Sequence, residues 1–281
     1  MNAEQHANAE QIALWNGAAG QGWVDAQESL DRVLEPFQHR IVEAVAARRP
    51  QSVLDVGCGT GSTTLAVARL LAKRGSAVGV DISEPMIALA RARAEREKAP
   101  PRFICADAQT YAFEPASFDM IVSRFGTMFF DDSVRAFENL RRAAAKGAGL
   151  AVIVWRSATE NPFMTTAERA AAPFLPDMPA RRPDEPGQFA FADRGRVYAI
   201  LEKSGWSDID IRPLDVECTL PLAELTTYLS KVGPASRAIQ GLDERFHARV
   251  IETVRAAFDP FVHGTEVRFV AACWTVSARN D

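Results

Sequence analysis

Val53-Leu54-Asp55-Val56-Gly57-Cys58-Gly59-Thr60-Gly61 is an apolar run that carries one acidic residue and then breaks into alternating glycines. Val53, Leu54 and Val56 suit a buried parallel strand. Glycines at 57, 59 and 61 permit positive φ and leave no Cβ between the main chain and an approaching ligand. Behind the turn, Thr60 or Ser62 can cap a helix whose apolar positions Leu65, Val67, Ala68 and Leu71 precede a stop at Gly75. Strand, tight turn and helix in this order open a nucleotide-binding α/β sheet.

Working outward, strand and helix patterns alternate with short connections, the signature of a parallel sheet covered on both faces. Further strands are expected at Ala77 to Ile82, Arg102 to Ala106, Phe118 to Ser123 and Gly149 to Trp155. Ser83 can cap a helix over Glu84 to Glu97, and Asp131 or Asp132 can start another that stops at Gly147. Residues 156 to 190 interrupt the alternation with six prolines. It resumes with a helix over Asp193 to Ser204 and a strand near Asp208 to Val216, and a last strand covers Glu266 to Ser277. A helical insertion lies between these two strands. Before the sheet, Trp15 and Trp23 flank a Gly-rich turn, and Leu30, Val33, Leu34, Phe37, Ile41, Val42 and Val45 repeat at helical spacing. The two tryptophans either anchor this helix to the core or form a flap that closes over a ligand.

A chain of 281 residues with 47% hydrophobic and 24% charged residues has the composition of a soluble globular protein, and one domain with insertions is the economical organisation. With 32 basic against 36 acidic residues the net charge is −4, which gives no general attraction to nucleic acid. Cys58, Cys105, Cys218 and Cys273 show no metal-ligand spacing, and no metal site is expected. The N-terminus lacks a leader pattern and no apolar run is long enough to span a bilayer, so a cytoplasmic protein is expected.

Asp55, Asp81 and Asp107 stand near corresponding strand ends, 26 residues apart each time. Asp81 can accept hydrogen bonds from both hydroxyls of a ribose, which points to an adenosine without naming the cofactor. The loop discriminates further. A dinucleotide fold places Gly-x-Gly-x-x-Gly on a pyrophosphate, whereas Ser62 stands here where the last glycine would fall. An acid two positions before Gly57 suits a ligand end bearing an ammonium group rather than a phosphate. S-adenosylmethionine has that end, and Asp107-Ala108 can meet its adenine.

In these motifs the chain resembles the class I S-adenosylmethionine-dependent methyltransferases, from about Arg40 to Trp155 and again from Asp193 onward. Residues 53 to 61 match the family's first motif, Gly79-Val80-Asp81-Ile82-Ser83-Glu84-Pro85-Met86 its second, Cys105-Ala106-Asp107-Ala108 its adenine motif and Phe118 to Ser123 its fourth strand. In style the chain is similar to the small-molecule methyltransferases of ubiquinone and menaquinone biosynthesis. The resemblance implies a Rossmann-like, seven-stranded, mostly parallel α/β sheet with an antiparallel strand seven, helices on both faces and a lid made by the insertions. It implies one methyltransferase domain over residues 1 to 281, with an N-terminal helical flap at 1 to 40 and lid and acceptor-pocket insertions at 156 to 190 and 218 to 265. The cofactor is then S-adenosyl-L-methionine, bound by Trp15, Trp23, Asp55, Gly57, Cys58, Gly59, Thr60, Gly61, Asp81, Ile82, Met86, Asp107, Ala108 and Ser123.

The acceptor is a small molecule, aromatic or apolar, because Ser123-Arg124-Phe125-Gly126-Thr127-Met128-Phe129-Phe130 replaces the Pro-Pro motif of the family's DNA and protein amide methyltransferases. Arg124, Phe125, Met128 and Phe129 are the substrate-binding candidates, and the aromatic ones serve equally well as core. If a base is used, His263 and His247 are the catalytic candidates. Tyr111, Tyr198 and Tyr228 give no positional reason to choose among them. A homodimer is compatible with the sequence. The alternatives are an NAD(P)-dependent oxidoreductase and a non-catalytic S-adenosylmethionine-binding protein.

Overall fold

The structure, a computed structural model, describes residues 8–97, 100–175, 185–233, 236 and 244–281. The parts of the expected flap and lid that fall at 1–7, 176–184, 234–235 and 237–243 lie outside the described residues. Three helices lead in: α1 (Ala9–Asn16), α2 (Ala18–Asp25) and α3 (Gln27–Arg48). Then follow β1 (Ser52–Val56), α4 (Ser62–Leu71), β2 (Ser76–Asp81), α5 (Glu84–Ala94), β3 (Arg102–Cys105), β4 (Phe118–Arg124), α6 (Ser133–Ala143) and β5 (Ala144–Trp155). The remainder comprises α7 (Pro162–Ala171), α8 (Arg194–Lys203), β6 (Ser207–Pro221), α9 (Leu225–Lys231), α10 (Glu244–Ala256), β7 (Val262–His263) and β8 (Glu266–Arg279).

The strand order is β3-β2-β1-β4-β5-β8-β6, with the two-residue β7 paired to β8. β1 lies parallel between β2 and β4, with Val53 opposite Ala77 on one side and Met120 on the other. β8 runs antiparallel to both β5 and β6. The expected mixed sheet is therefore present, with eight strands rather than seven because β7 folds back on β8 through Gly264. Val53, Leu54, Val56, Ile121 and Val122 are all buried, as the two-sided cover of a parallel sheet demands. Leu30, Val33, Leu34, Phe37, Ile41 and Val45 form the buried stripe of α3, as their spacing predicts.

Several boundaries differ from the sequence reading. α4 starts from Gly61 in the left-handed conformation, and neither Thr60 nor Ser62 caps it with a side chain. α5 stops at Ala94 rather than Glu97, while Ser83 does cap it, accepting from Met86 N. Gly147 does not end a helix: α6 closes at Ala143, and Gly147 sits at φ +79° inside the first half of β5. β6 runs on to Pro221, five residues past the expected end, because Cys218 and Leu220 continue an alternating buried face against β8.

The chain order reverses between β1 and β4, and a crevice opens at their carboxyl ends. Here two loops meet main chain to main chain. A Cβ on Gly57 would lie 2.4 Å from the Gly126 Cα, and one on Gly126 would lie 2.5 Å from the Val56 carbonyl oxygen. Gly126 has an ordinary helical φ of −82°, so its requirement is steric and not conformational. Gly126→Ala is therefore expected to lower stability in denaturant unfolding by about 1–3 kcal/mol, the cost of overpacking.

Candidate active site

The crevice widens into a cavity of about 790 Å³ that reaches from the glycine loop to the first and second insertions. Gly57, Gly59 and Thr60 form one wall, with Asp81, Ile82 and Met86 beside them and Asp107 and Ala108 beyond. The wall is fixed through hydrogen bonds to main chain. Gly57 N and Cys58 N both donate to Val80 O, at 2.8 and 3.1 Å. The Asp81 carboxylate accepts from Gly59 N at 2.8 Å and from Ser83 N at 2.9 Å, one on each oxygen. Burial raises the Asp81 pKa, and the two N–H donors oppose that rise. Asp107 is likewise raised by burial and opposed by Gln109 N, which it accepts at 2.9 Å. Asn139 holds the same turn by donating to Ala108 O and Tyr111 O, each at 2.9 Å.

The N-terminal helices roof this part of the cavity. Trp15 meets Trp23 edge to face at 6.0 Å and Phe129 at 5.1 Å, and all three line the cavity. The roof is pinned to the turn after β2: Asn16 donates to Ile82 O and accepts from Glu84 N, while Ser83 Oγ donates to Trp15 O at 2.6 Å. It is also pinned to the second insertion, where Lys231 pairs with Asp25 at 2.8 Å and Glu224 takes Ser29 and Arg32. Phe125, at φ +66°, stacks on Trp155 at 4.3 Å, and together with Met128 it lines the cavity while packing into the core.

Other sequence candidates sit elsewhere. Asp55 is off the cavity wall: it is buried and accepts from Thr64 Oγ1 at 2.6 Å, so no ammonium group can reach it directly. Cys58 and Gly61 pack away from the cavity, Cys58 against the Gly79 position and Gly61 where a Cβ would strike Phe103. Ser123 is a structural bracket, donating to Val56 O and accepting from Gly126 N. Arg124 reaches the cavity, but its guanidinium is committed to Leu34 O at 3.1 Å and Ser62 Oγ at 2.9 Å under the glycine loop. That commitment removes it from the insertion side, where an acceptor would sit. His263 is exposed on β7 and His247 lies on α10, and neither lines the cavity. Sequence reasoning did not single out Leu34, Phe163, Met164, Phe189 or Tyr228, which do. Their apolar character suits a core position and does not say which cavity they border.

With this geometry in view, the matches to known proteins are consistent. A family model described as a methyltransferase domain matches residues 53–147. The demethylmenaquinone methyltransferase of Thermus thermophilus is 33% identical over 117 residues, 42% of this chain and about half, 53%, of the relative. That of Staphylococcus carnosus is 22% identical over 199 residues, 66% of this chain and 82% of the relative. Over the matched third of the chain, these findings support a class I S-adenosylmethionine-dependent methyltransferase domain. The fold agrees: the YcgJ protein of Bacillus subtilis superposes with a TM-score of 0.56 at 16% identity, over 86% of this chain and 97% of that chain. A methyltransferase-like protein from Bacillus halodurans gives 0.54 at 16% identity, over 86% and 98%. Neither alternative reading, oxidoreductase or non-catalytic binder, is favoured by these matches. No helix among the described residues is long and apolar enough to cross a membrane.

The residues present fit S-adenosylmethionine, the family's cofactor. Gly59, at φ +55°, has only the Met86 Sδ within 4 Å of its missing Cβ, at 3.7 Å, so the space a side chain would fill stays open to a ligand. The buried Asp55 gives a separate expectation. Burial raises its carboxyl from 3.8 to about 7, outweighing the Thr64 hydrogen bond and the nearby Arg124. Between these values the folded protein holds a proton that the unfolded chain has lost, so stability falls as pH rises through that window. Asp55→Asn lacks this dependence. Relative to wild type it is expected to be more stable at pH 8 than at pH 4, by on the order of 2–4 kcal/mol, in denaturant titrations at the two pH values.

Proposed function

We propose that this methyltransferase transfers a methyl group to a small apolar or aromatic acceptor held beneath its two insertions. The observation that carries the reading is the continuity of the cavity. One end is glycine loop and carboxylates, and the other is a wall of Phe163, Met164, Phe189, Leu229, Val232 and Phe258. Gly57, Gly59 and Thr60 would cradle the methionine end of the cofactor. Asp81 would take the ribose hydroxyls on the carboxylate lone pairs left over from Gly59 N and Ser83 N. Ile82 and Met86 would flank the adenine, with Asp107 and Ala108 at its edge and Trp15 and Trp23 closing above.

Bound cofactor supplies a methyl group on a sulfonium, which already has a good leaving group. The protein's task is then to align the acceptor and exclude water, and orientation alone can contribute roughly 7–11 kcal/mol. The enclosed aromatic wall suits that task and needs no histidine. The name of the curated relatives specifies demethylmenaquinone, and an acceptor of that apolar kind agrees with the wall. A net charge of −4 gives no general attraction to nucleic acid, in keeping with a small-molecule acceptor, and a cytoplasmic location goes with the same reading.

Calorimetric titration tests the cofactor assignment. S-adenosylmethionine and S-adenosylhomocysteine are expected to bind with micromolar affinity, about −8 kcal/mol, and NADH not at all. Binding of NADH alone would overturn the reading. In the same assay Asp81→Asn should weaken S-adenosylhomocysteine by roughly tenfold, as loss of a charged hydrogen-bond acceptor predicts, and lower the melting temperature, because the new amide nitrogen cannot accept from Gly59 N or Ser83 N; unchanged affinity would remove Asp81 from the site.

A further inference from the structure

The insertion half of the cavity has few polar groups, and nearly all of them are already engaged. Ser157 Oγ donates to Glu160 at 2.6 Å, and Lys231 is paired with Asp25 at 2.8 Å. Glu168, Glu185 and Gln188 have partners within the protein. Tyr228 differs. It lies on α9, borders the cavity beside Phe163, whose ring centroid is 6.3 Å away, and is only 8% exposed.

No hydrogen bond reaches the Tyr228 hydroxyl among the described residues. Trp206 and the partly buried Trp274 donate to Phe137 O and Ala192 O at 3.1 and 2.9 Å, whereas the indole N–H of Trp155, toward the glycine-loop side of the cavity, shares the unpaired state of Tyr228 among the described residues. The unpaired polar side-chain atoms that are sealed from solvent belong to Asn8, Thr63, Thr127, Arg141 and Arg196. The Tyr228 hydroxyl is not one of them, so it is not sealed, and its residue lines the cavity. A hydroxyl kept in an apolar wall without a partner is unfavourable unless a ligand completes it.

We propose that Tyr228 is the polar anchor of the acceptor site, its hydroxyl hydrogen-bonding a hydroxyl or carbonyl oxygen on an otherwise apolar ring compound. Burial, with the Cys218 thiol nearby, pushes the phenol above its ordinary range, so the group stays protonated at neutral pH and can donate. Tyr228 then acts as a positioning residue. It selects oxygen-bearing rings over bare hydrocarbons and fixes their rotation in the cavity, while the aromatic wall supplies the affinity. This inference rests on the reading that the insertion half takes an apolar acceptor.

The test titrates the protein, saturated with S-adenosylhomocysteine, with 2-naphthol and with naphthalene. Wild type should bind 2-naphthol about tenfold more tightly than naphthalene, the effect of one added hydrogen bond to a buried group. Tyr228→Phe should bind the two equally, with the affinities for naphthalene and S-adenosylhomocysteine unchanged and the melting temperature not lowered. A preference that survives in Tyr228→Phe, or that wild type lacks, overturns the proposal. Loss of S-adenosylhomocysteine binding in the variant alone makes Tyr228 a structural residue and overturns it too. If wild type binds S-adenosylhomocysteine but neither ring compound, the apolar-acceptor reading fails, and this inference fails with it.

Discussion

The approach of Gly57 to Gly126 is the constraint on which the site depends. Two loops leave neighbouring parallel strands at the point where the chain order reverses, and they touch through main chain because neither residue carries a Cβ. The contact holds the glycine loop down on the sheet. It also directs residues 127–130 toward the cavity, where Met128 and Phe129 form part of the wall. A side chain at either glycine would part the loops and move both walls together. Ser123 reinforces the contact from below, bridging Val56 O and Gly126 N.

Asp81 ties the next layer to this one. Its two oxygens hold Gly59 on one side and Ser83 on the other, so one carboxylate sets the distance between the glycine loop and the turn after β2. Ser83 in turn binds Trp15 O, and Asn16 clamps the same turn from above. The roof over the site is therefore built on the residues that form its floor. Through Lys231 and Glu224 the roof also meets the second insertion, which carries Tyr228. The glycine-loop half and the insertion half of the cavity thus share one support.

The first insertion is fixed from a different direction. Buried Asn161 donates to Ala272 O and accepts from Ala272 N, each at 2.9 Å, which pins the start of α7 to β8 across a sequence separation of 111. Phe163, two residues on, stacks on Phe269 at 3.8 Å. Long β6 and β8 provide the platform for this, since their pairing continues to Pro221 and Glu266, beyond the rest of the sheet.

The order of strands and helices, the glycine loop and the acids at the ends of β2 and β3 were legible in the sequence. They depend on short-range rules: two-sided burial of a strand, positive φ at glycine, and repetition of one βαβ unit. Which way a side chain faces was less so. Asp55 near the end of β1 and Cys58 beside Gly59 both point into the protein, Asp55 toward Thr64 and Cys58 toward Gly79. His263 and His247 occupy the expected insertion but fall outside the cavity. Tyr228, in the same insertion, lies within it. By itself the sequence determined the sheet and the glycine loop, whose interactions are local. Only the tertiary structure decided the insertion half of the cavity, because its wall from Phe163 to Phe258 is assembled from residues up to 95 positions apart, and no spacing rule links them.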